Sequence, residues 1–595
     1  MSLTSTTAAT AETVECDVAV IGGGLGGIAA ALAAAAAGQR VVLTCDQPVL
    51  GGQITSQLVP ALDEHPYVET FGSSASYRRF RDLIRSRYDG VANPGGGWVS
   101  RLCFESSAGL SAIEEMLNPY IATGQLTVLL DISPALVLRD GARISAVELT
   151  GAAGIVQVRA NMFCDATETG DLLPLSDAAW VVGSEGRDAY GESLAIPGGP
   201  RPGAVQSCTV GFVVEHDPDG NYVGQEPPGY RRWRDSQPFT LEIAGADGQT
   251  HRYRMFTEGP DGRPPFWTYR RLRDGATLGG RDLALINWSS NDYAARSLIH
   301  EPDLAHAEAR DLSLSFLHWL RTECPRDDGG HGYPGLRLVP VAAGTPDGLA
   351  AQPYVRESRR LRLTQPITEH DLLRRPGHAR ATQMPDSGGI ALYNLDLHAR
   401  VGYDADSTEA PIANVTSAPF QVPLHALVTD EPANLLMAAK NLAATQVAAG
   451  AYRVHNGEWA VGEAAGTLAA QAVARNLAPH ALLNHPHERH AVQRALLRGG
   501  VPITWIEDIE PDDPLYVPAQ LLVTAGGLGQ NRAASLRIEP QSVADESDRI
   551  ALRDAANSLL GGEPVPENAL PPAGSSWAEV VRSLAPALDR AVAGT

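Results

Sequence analysis

Taken as hydrophobic and polar positions alone, the chain shows its first clear signal at Cys16, where Asp17-Val18-Ala19-Val20-Ile21 forms the continuous apolar run of a strand buried on both faces. Glycines follow at 22–24 and 26–27, an alanine-rich helical stretch runs to Ala37, Gly38 stops it, and Val41-Val42-Leu43 is a second apolar run. Strand, turn, helix and strand within about 30 residues predict the opening of a doubly wound parallel sheet. Residues 76–88 and 108–122 predict helices, the second leading into a strand at Leu126–Leu130. Val137–Leu138 and Ile144–Leu149, joined through Asp140-Gly141, predict a small antiparallel excursion. A long stretch, 185–430, is rich in Pro, Gly, Trp and Arg with short alternating runs and predicts a mixed α+β unit laid over the first. The parallel-sheet pattern returns at Asn434 with Leu435-Leu436-Met437-Ala438-Ala439, followed by a helix at Val461–Arg475, and 480–595 predict mostly helix with proline breaks. Residues 1–14, rich in Ser, Thr and Ala, read as unstructured.

Composition narrows the partners. The 595 residues carry 47 basic and 69 acidic side chains, a formal charge of −22, and the pI is near 5.1. Such a chain lacks the positive field that nucleic acid or an anionic membrane surface requires, so neither is expected as a partner. Six scattered cysteines, with no C-x-x-C pair, speak against a zinc ribbon, an iron–sulfur cluster or a disulfide framework, and no metal site is expected. The start has no basic region leading into an apolar core, and the longest apolar run, Ile28 to Ala37, is too short to span a bilayer. A cytoplasmic protein is the expectation; oligomeric state is not legible. One lysine, Lys440, stands against 46 arginines.

The glycines carry the first chemistry. Gly22, Gly24 and Gly27 form G-x-G-x-x-G between an apolar strand and a helix: one for the tight turn, one for backbone approach to a pyrophosphate, one for close packing of helix and strand. The acidic residue expected at the end of the second strand is displaced by one, Cys45 standing in its place and Asp46 next to it, so Asp46 is the candidate for the ribose. Leu50-Gly51-Gly52-Gln53-Ile54-Thr55-Ser56-Gln57 follows directly, and Asp165-Ala166-Thr167-Glu168-Thr169-Gly170-Asp171 lies after a strand-like Asn161–Cys164.

Together with Gly462-Glu463-Ala464-Ala465-Gly466, these segments resemble the FAD-dependent oxidoreductase family of the glutathione-reductase-like superfamily, and within it a bacterial subgroup. The resemblance spans roughly 15–475. It implies an α/β fold: a Rossmann-type FAD-binding domain in two parts, 15–184 and 431–478, an inserted mixed α+β substrate domain at 185–430, and a C-terminal helical extension at 479–595. It implies FAD as cofactor, held by Gly22, Gly24, Gly27, Asp46, Gly51, Gly52, Gln53, Ser56, Pro134, Asp165, Thr167 and Asp171, with Gly462, Glu463 and Gly466 opening the helix that faces the flavin.

Candidates for the reaction itself come from residue type and place. His455, with Arg453 and Glu458, reads as lying on the loop before that helix, where an imidazole takes a proton while hydride leaves for the flavin; its alternative is a satisfied structural histidine. His65 is a second such candidate. Lys440 suggests a site that needs a compact ammonium rather than a planar fork, or else chance. Arg101, Arg356 and Tyr452 are candidate substrate contacts; Arg359 and Arg360 could also anchor an anionic or polyhydroxylated substrate, though as a run they read more often as a solvated or salt-bridged face. No second G-x-G-x-x-G and no redox cysteine pair are present, which disfavours a disulfide reductase with its own nicotinamide domain. The leading expectation is an FAD-dependent oxidase or dehydrogenase acting on a small organic substrate, sugar-like or a secondary-metabolite alcohol or amine, with O2 as a candidate electron acceptor. The alternatives are a flavin monooxygenase and a non-catalytic flavoprotein or redox partner.

Overall fold

The computed structural model describes residues 12–152, 154–237, 239–244, 250–403, 407–561 and 564–593. Its organising element is a seven-stranded sheet. The strands are β1 (Glu12–Ile21), β2 (Val41–Thr44), β3 (Leu126–Leu129), β4 (Ile132–Asp140), β5 (Arg143–Gly151), β6 (Gly154–Asp165) and β7 (Leu435–Met437). The parallel set runs β3-β2-β1-β6-β7, and the antiparallel hairpin β4–β5 joins it by pairing with the first half of β6. Of residues 1–14, 1–11 lie outside the described residues, while 12–14 already belong to β1 and pair with Val156–Val158 of β6.

Register decides where a ligand can sit. Ile21 is opposite both Thr44 and Asp165, Thr44 is opposite Leu129, and Asp165 is opposite Met437. Five parallel strands therefore end level, and the segments that follow them, among them the glycine turn, Cys45-Asp46, Ala166–Asp171 and Ala438–Asn441, meet along one edge. In an open α/β sheet that carboxyl edge is where ligands bind.

Helix α1 (Leu25–Ala36) and helix α2 (His455–Arg475) pack on the sheet and on each other. Being covered from two sides, α1 is alanine-rich nearly all round rather than amphipathic. Their crossing is close: a Cβ on Gly462 would stand 2.0 Å from the Gly26 carbonyl oxygen, and one on Gly466 2.2 Å from that of Ala30. Two glycines four residues apart on one ridge are what such an approach needs.

A second core is built from Cys208–Tyr354, around a four-stranded sheet ordered Arg271–Arg273, Leu283–Ile286, Phe212–His216, Leu336–Leu338 and the long helix Pro302–Thr322. Leu58, Val59, Ala61 and Cys103 reach into it from the first part of the chain. Apolar side chains from Leu361 to Val428 join the first core instead, and so do those of the C-terminal helices, Leu496, Leu522, Leu552 and Trp577 among them. The stretch 185–430 is thus divided between two cores, because its last third threads back beneath α2. Among the described residues no helix is long and apolar enough to cross a membrane. All six cysteines are buried, unbonded thiols.

Candidate functional site

The turn after β1 is shaped by contacts that exclude side chains. Gly22 has φ +120°, and a Cβ there would stand 2.1 Å from the Ala166 carbonyl oxygen; one on Gly27 would stand 1.9 Å from that of Gly22. Gly24 differs. It caps α1 with φ −71° and no side-chain hydrogen bond, and the nearest atoms to a Cβ on it are side-chain atoms, Glu168 Oε1 at 2.6 Å and Glu458 Oε1 at 3.2 Å. Gly52 faces the same gap, 2.5 Å from Glu168 Oε1 by the same construction. The segment Gly51–Ser56 is tied to the turn by the Gly51 N–H donating to the Gly23 carbonyl at 2.9 Å.

These backbones floor a cavity of about 360 Å³, within the range of small-molecule sites. Gly22, Gly24, Asp46, Gly52, Ser56, Pro134, Thr167 and Asp171 line it together, as do Arg359, expected as a substrate anchor or a salt-bridged residue, and Glu168, Gln352 and His306, which sequence reasoning did not single out. The opposite wall comes from Leu298 and the first turns of the helix Pro302–Thr322, on the side of the second core, and from Ile299, which packs with Val182 and Val205. Gln352 ties the walls, its amide donating to Asp46 Oδ2 at 2.7 Å and its oxygen accepting from Ser56 at 2.9 Å. Arg359 is partly exposed and salt-bridged to Asp171 at 2.9 Å, within the expected solvated or salt-bridged reading. Arg360 is fully buried between Glu185 and Glu357, each at 2.7 Å. Burial, with Glu168 nearby, raises the Asp46 carboxyl above its ordinary value. Asp165 is held beneath the cavity, accepting from both Thr167 groups and the Leu172 N–H, and burial pushes it up to about 7.

Behind the cavity wall lies a buried polar chain. Lys440 Nζ donates to Glu168 Oε2 at 2.5 Å and to Glu458 Oε2 at 2.6 Å. Glu458 also accepts from Gln53 at 2.6 Å and from the Gly26 N–H at 3.2 Å, and Tyr354 donates to Gln53 Oε1 at 3.4 Å. Burial pulls the lysine down, but the two carboxylates outweigh it and hold it above its ordinary value. Burial raises Glu458, with Lys440 opposing and Glu168 adding to the shift. Lys440 is therefore a shared counter-ion. Where this chain ends lie two paired charges: Asp63 with Arg270 at 3.3 Å, which reaches across to the second core, and Asp396 with Arg453 at 2.6 Å, both on segments of the first.

Other expected site residues lie elsewhere. Helix α2 opens at His455, not at Val461, so Gly462 and Gly466 sit in its interior and pack against α1, away from the cavity. Glu463 faces Ser76, and burial pushes it up to about 7. Tyr452 donates to the Gln421 carbonyl in the first core. Arg356 is held by Thr209 at 2.7 Å and Asp292 at 2.9 Å, and Arg101 is exposed. His65 packs edge-on against Trp505, with neither ring nitrogen bonded among the described residues; burial outweighs nearby Asn456 and takes it down to about 3.

His455 is the first residue of α2, not a loop residue, and it is fully buried. Its Nδ1 accepts the Asp63 N–H at 3.0 Å, and Nε2 stands 3.0 Å from the Val59 carbonyl, which requires the neutral ring with the proton on Nε2. Both nitrogens are spent on backbone, which leaves none for a substrate proton. Burial lowers this histidine from 6.5 to about 4. Between those values the unfolded chain binds the proton and the folded chain does not, so its stabilisation is complete above 6.5 and is lost as pH falls towards 4. Thermal melts across that window should therefore fall more steeply for the wild type than for His455→Gln; parallel curves would contradict the assignment.

Residues 17–496 match the family described as FAD dependent oxidoreductase, and the chain belongs to it. It is an FAD-dependent oxidoreductase, an enzyme whose cofactor is FAD. None of the curated proteins matches the chain. Among solved structures, a geranylgeranyl bacteriochlorophyll reductase-like protein from Thermoplasma acidophilum is 11% identical over 98% of both chains, with a TM-score of 0.31. The p-nitrophenol 4-monooxygenase of Pseudomonas putida DLL-E4 is 12% identical over 93% of this chain and 100% of its own, with a TM-score of 0.32. L-proline dehydrogenase from P. horikoshii is 17% identical over 30% of this chain and 26% of its own, with a TM-score of 0.18. The residues present fit the cofactor: a cradle that a Cβ on Gly24 would fill, at a helix N-terminus on the carboxyl edge of a parallel sheet.

Proposed function

We propose that this enzyme oxidises a small organic alcohol or amine bound where the two cores meet, with O2 as a candidate electron acceptor. The observation that carries the reading is the shared edge: the glycine cradle, Asp46 and Asp171 line one cavity, and a buried hydrogen-bonded chain leads from its wall to Tyr354 at the junction. In this reading Gly22, Gly24 and Gly52 hold the pyrophosphate, Asp46 the ribose, Pro134 the adenine, and Thr167 and Asp171 the polar middle of the cofactor. When bound, FAD would supply the two-electron, hydride-accepting chemistry that such an oxidation requires. Arg270 and Arg453 orient a polar substrate.

His455 becomes a positioning residue, because its ring fixes the backbone of Asp63. The Asp63 carboxylate, buried beside Arg270, takes the proton that leaves the substrate oxygen or nitrogen. The antiparallel hairpin inserted beside a parallel five-strand set supports placement in the glutathione-reductase-like superfamily. Anaerobic mixing of the yellow holoenzyme with a panel of alcohols and amines should bleach the flavin. Asp63→Asn should keep the flavin spectrum and bleach at least ~100-fold more slowly, the scale of a lost general base. No bleaching by any member, with NADPH-dependent oxygen uptake instead, would favour a monooxygenase and overturn the reading.

A further inference from the structure

The glycine cradle contains a carboxylate. Glu168 Oε1 is buried without a hydrogen-bond partner among the described residues. It lies in the gap between Gly24 and Gly52, within 2.6 Å of where a Cβ on either would stand. Its other oxygen is held by Lys440. An ionised carboxylate only accepts hydrogen bonds, as does a phosphate oxygen, so the two cannot satisfy each other at close range. A protonated carboxyl can donate.

We propose that Glu168 binds the pyrophosphate of FAD as the neutral acid, its Oε1–H donating to a phosphate oxygen, so that cofactor binding takes up one proton from solvent. No electrons move and no other bond changes. The proposal deepens the cofactor reading and rests on the assignment of the cradle to the pyrophosphate.

The surrounding charges select Glu168 for this proton. Lys440 faces it from the segment after β7, Glu458 from α2, and Asp46 and Cys45 from the end of β2. One ammonium serves two carboxylates here, so the trio brings a formal excess of negative charge to the place where an anion must bind. Glu458 has both oxygens engaged, by the Gly26 N–H, Lys440 and Gln53. Asp46 is engaged by Gln352. Among these carboxylates Glu168 holds the buried oxygen that has no partner among the described residues, and it points into the cradle.

The test is titration of the full-length apoprotein with FAD between about pH 6 and 9. Fluorescence quenching gives affinity, and calorimetry in buffers of different ionisation enthalpy gives proton uptake. The wild type should take up close to one proton per FAD and lose affinity towards about tenfold per pH unit at the alkaline end. Glu168→Gln, permanently neutral and carrying an amide donor, should bind FAD with neither pH slope nor proton uptake. Wild-type binding without proton uptake, a slope unchanged in Glu168→Gln, or a slope abolished by Asp46→Asn but kept in Glu168→Gln would overturn the proposal. Gly24→Val separates the two layers. If it binds FAD as the wild type does, the cradle assignment itself fails; if it loses FAD while the wild type takes up no proton, only the role of Glu168 fails.

Discussion

Lys440→Met should destabilise the protein by about 3–5 kcal/mol at pH 8, the usual cost of leaving one member of a buried ion pair alone. Here the cost falls on two members at once. Glu168 and Glu458 both point at Nζ, at 2.5 and 2.6 Å, and without it each faces the other's charge, Glu458 fully buried and Glu168 at the cavity wall. Methionine keeps much of the volume, so the loss is electrostatic rather than a cavity. Two features identify it as such. The deficit should shrink as pH falls from 8 to about 5.5, because the folded state can then bind a proton at a carboxyl that has lost its cation, and burial already raises Glu458. Adding Glu458→Gln should recover more than half of it. Lys440→Arg should recover little, since a planar fork does not fit between two oxygens that converge on one compact ammonium. Denaturant unfolding of the variants at the two pH values checks this, and a Lys440→Met protein as stable as the wild type at pH 8 would return the lysine to chance.

What the sequence disclosed followed the range of the interactions involved. The strand, glycine turn and helix of 16–37 were legible because their signals follow one another along the sequence; the contact between Gly22 and Gly27 lies within one turn, although Ala166 and α2 also press on the segment. Asp46 was reachable from its place after the second strand, while Pro134, Thr167 and Asp171 came from the family resemblance; the level strand ends bring all four to one edge. Gln352 and His306 were not, since they arrive from the stretch that builds the second core and nothing in their own segments marks them; Arg359 was marked, but for a substrate rather than for this cavity. Glu168 lay inside a quoted motif and was passed over for its neighbours; the mark that distinguishes it, an unpartnered oxygen over Gly24, exists only in three dimensions.

Composition did isolate Lys440, but as an oddity without partners. The partners are 272 and 18 residues away along the chain. His455 was misjudged for a specific reason. The helix was expected to begin at the glycines of 462–466, which placed the histidine on a loop facing the flavin. Those glycines instead mark the crossing with α1, the helix begins two turns earlier, and the ring closes on the backbone of Asp63 and Val59. A glycine pair signals close approach in a helix as readily as a helix start. Only the position of the partner helix distinguishes the two.

The central claim is that the cradle at Gly24 receives the cofactor, and Gly24→Val tests it most directly because the backbone there tolerates a side chain. Gly24 has φ −71°, open to any residue, and a Cβ would press on the ends of Glu168 and Glu458 rather than on main chain. Gly22, at φ +120°, and Gly27, against the Gly22 carbonyl, offer no such freedom, and substitution at either would break the turn itself. The valine should leave the fold intact and fill the gap. Each hydrogen bond lost to a charged group is worth about 1.5–3 kcal/mol, so losing two corresponds to at least ~100-fold in affinity. Flavin content per chain of the purified, folded variant, set beside the wild type and followed by FAD titration, is the measurement. The account predicts a wild type carrying one FAD per chain and a folded variant that is colourless and binds added FAD at least ~100-fold more weakly; a folded variant that purifies with its full complement of FAD would contradict it.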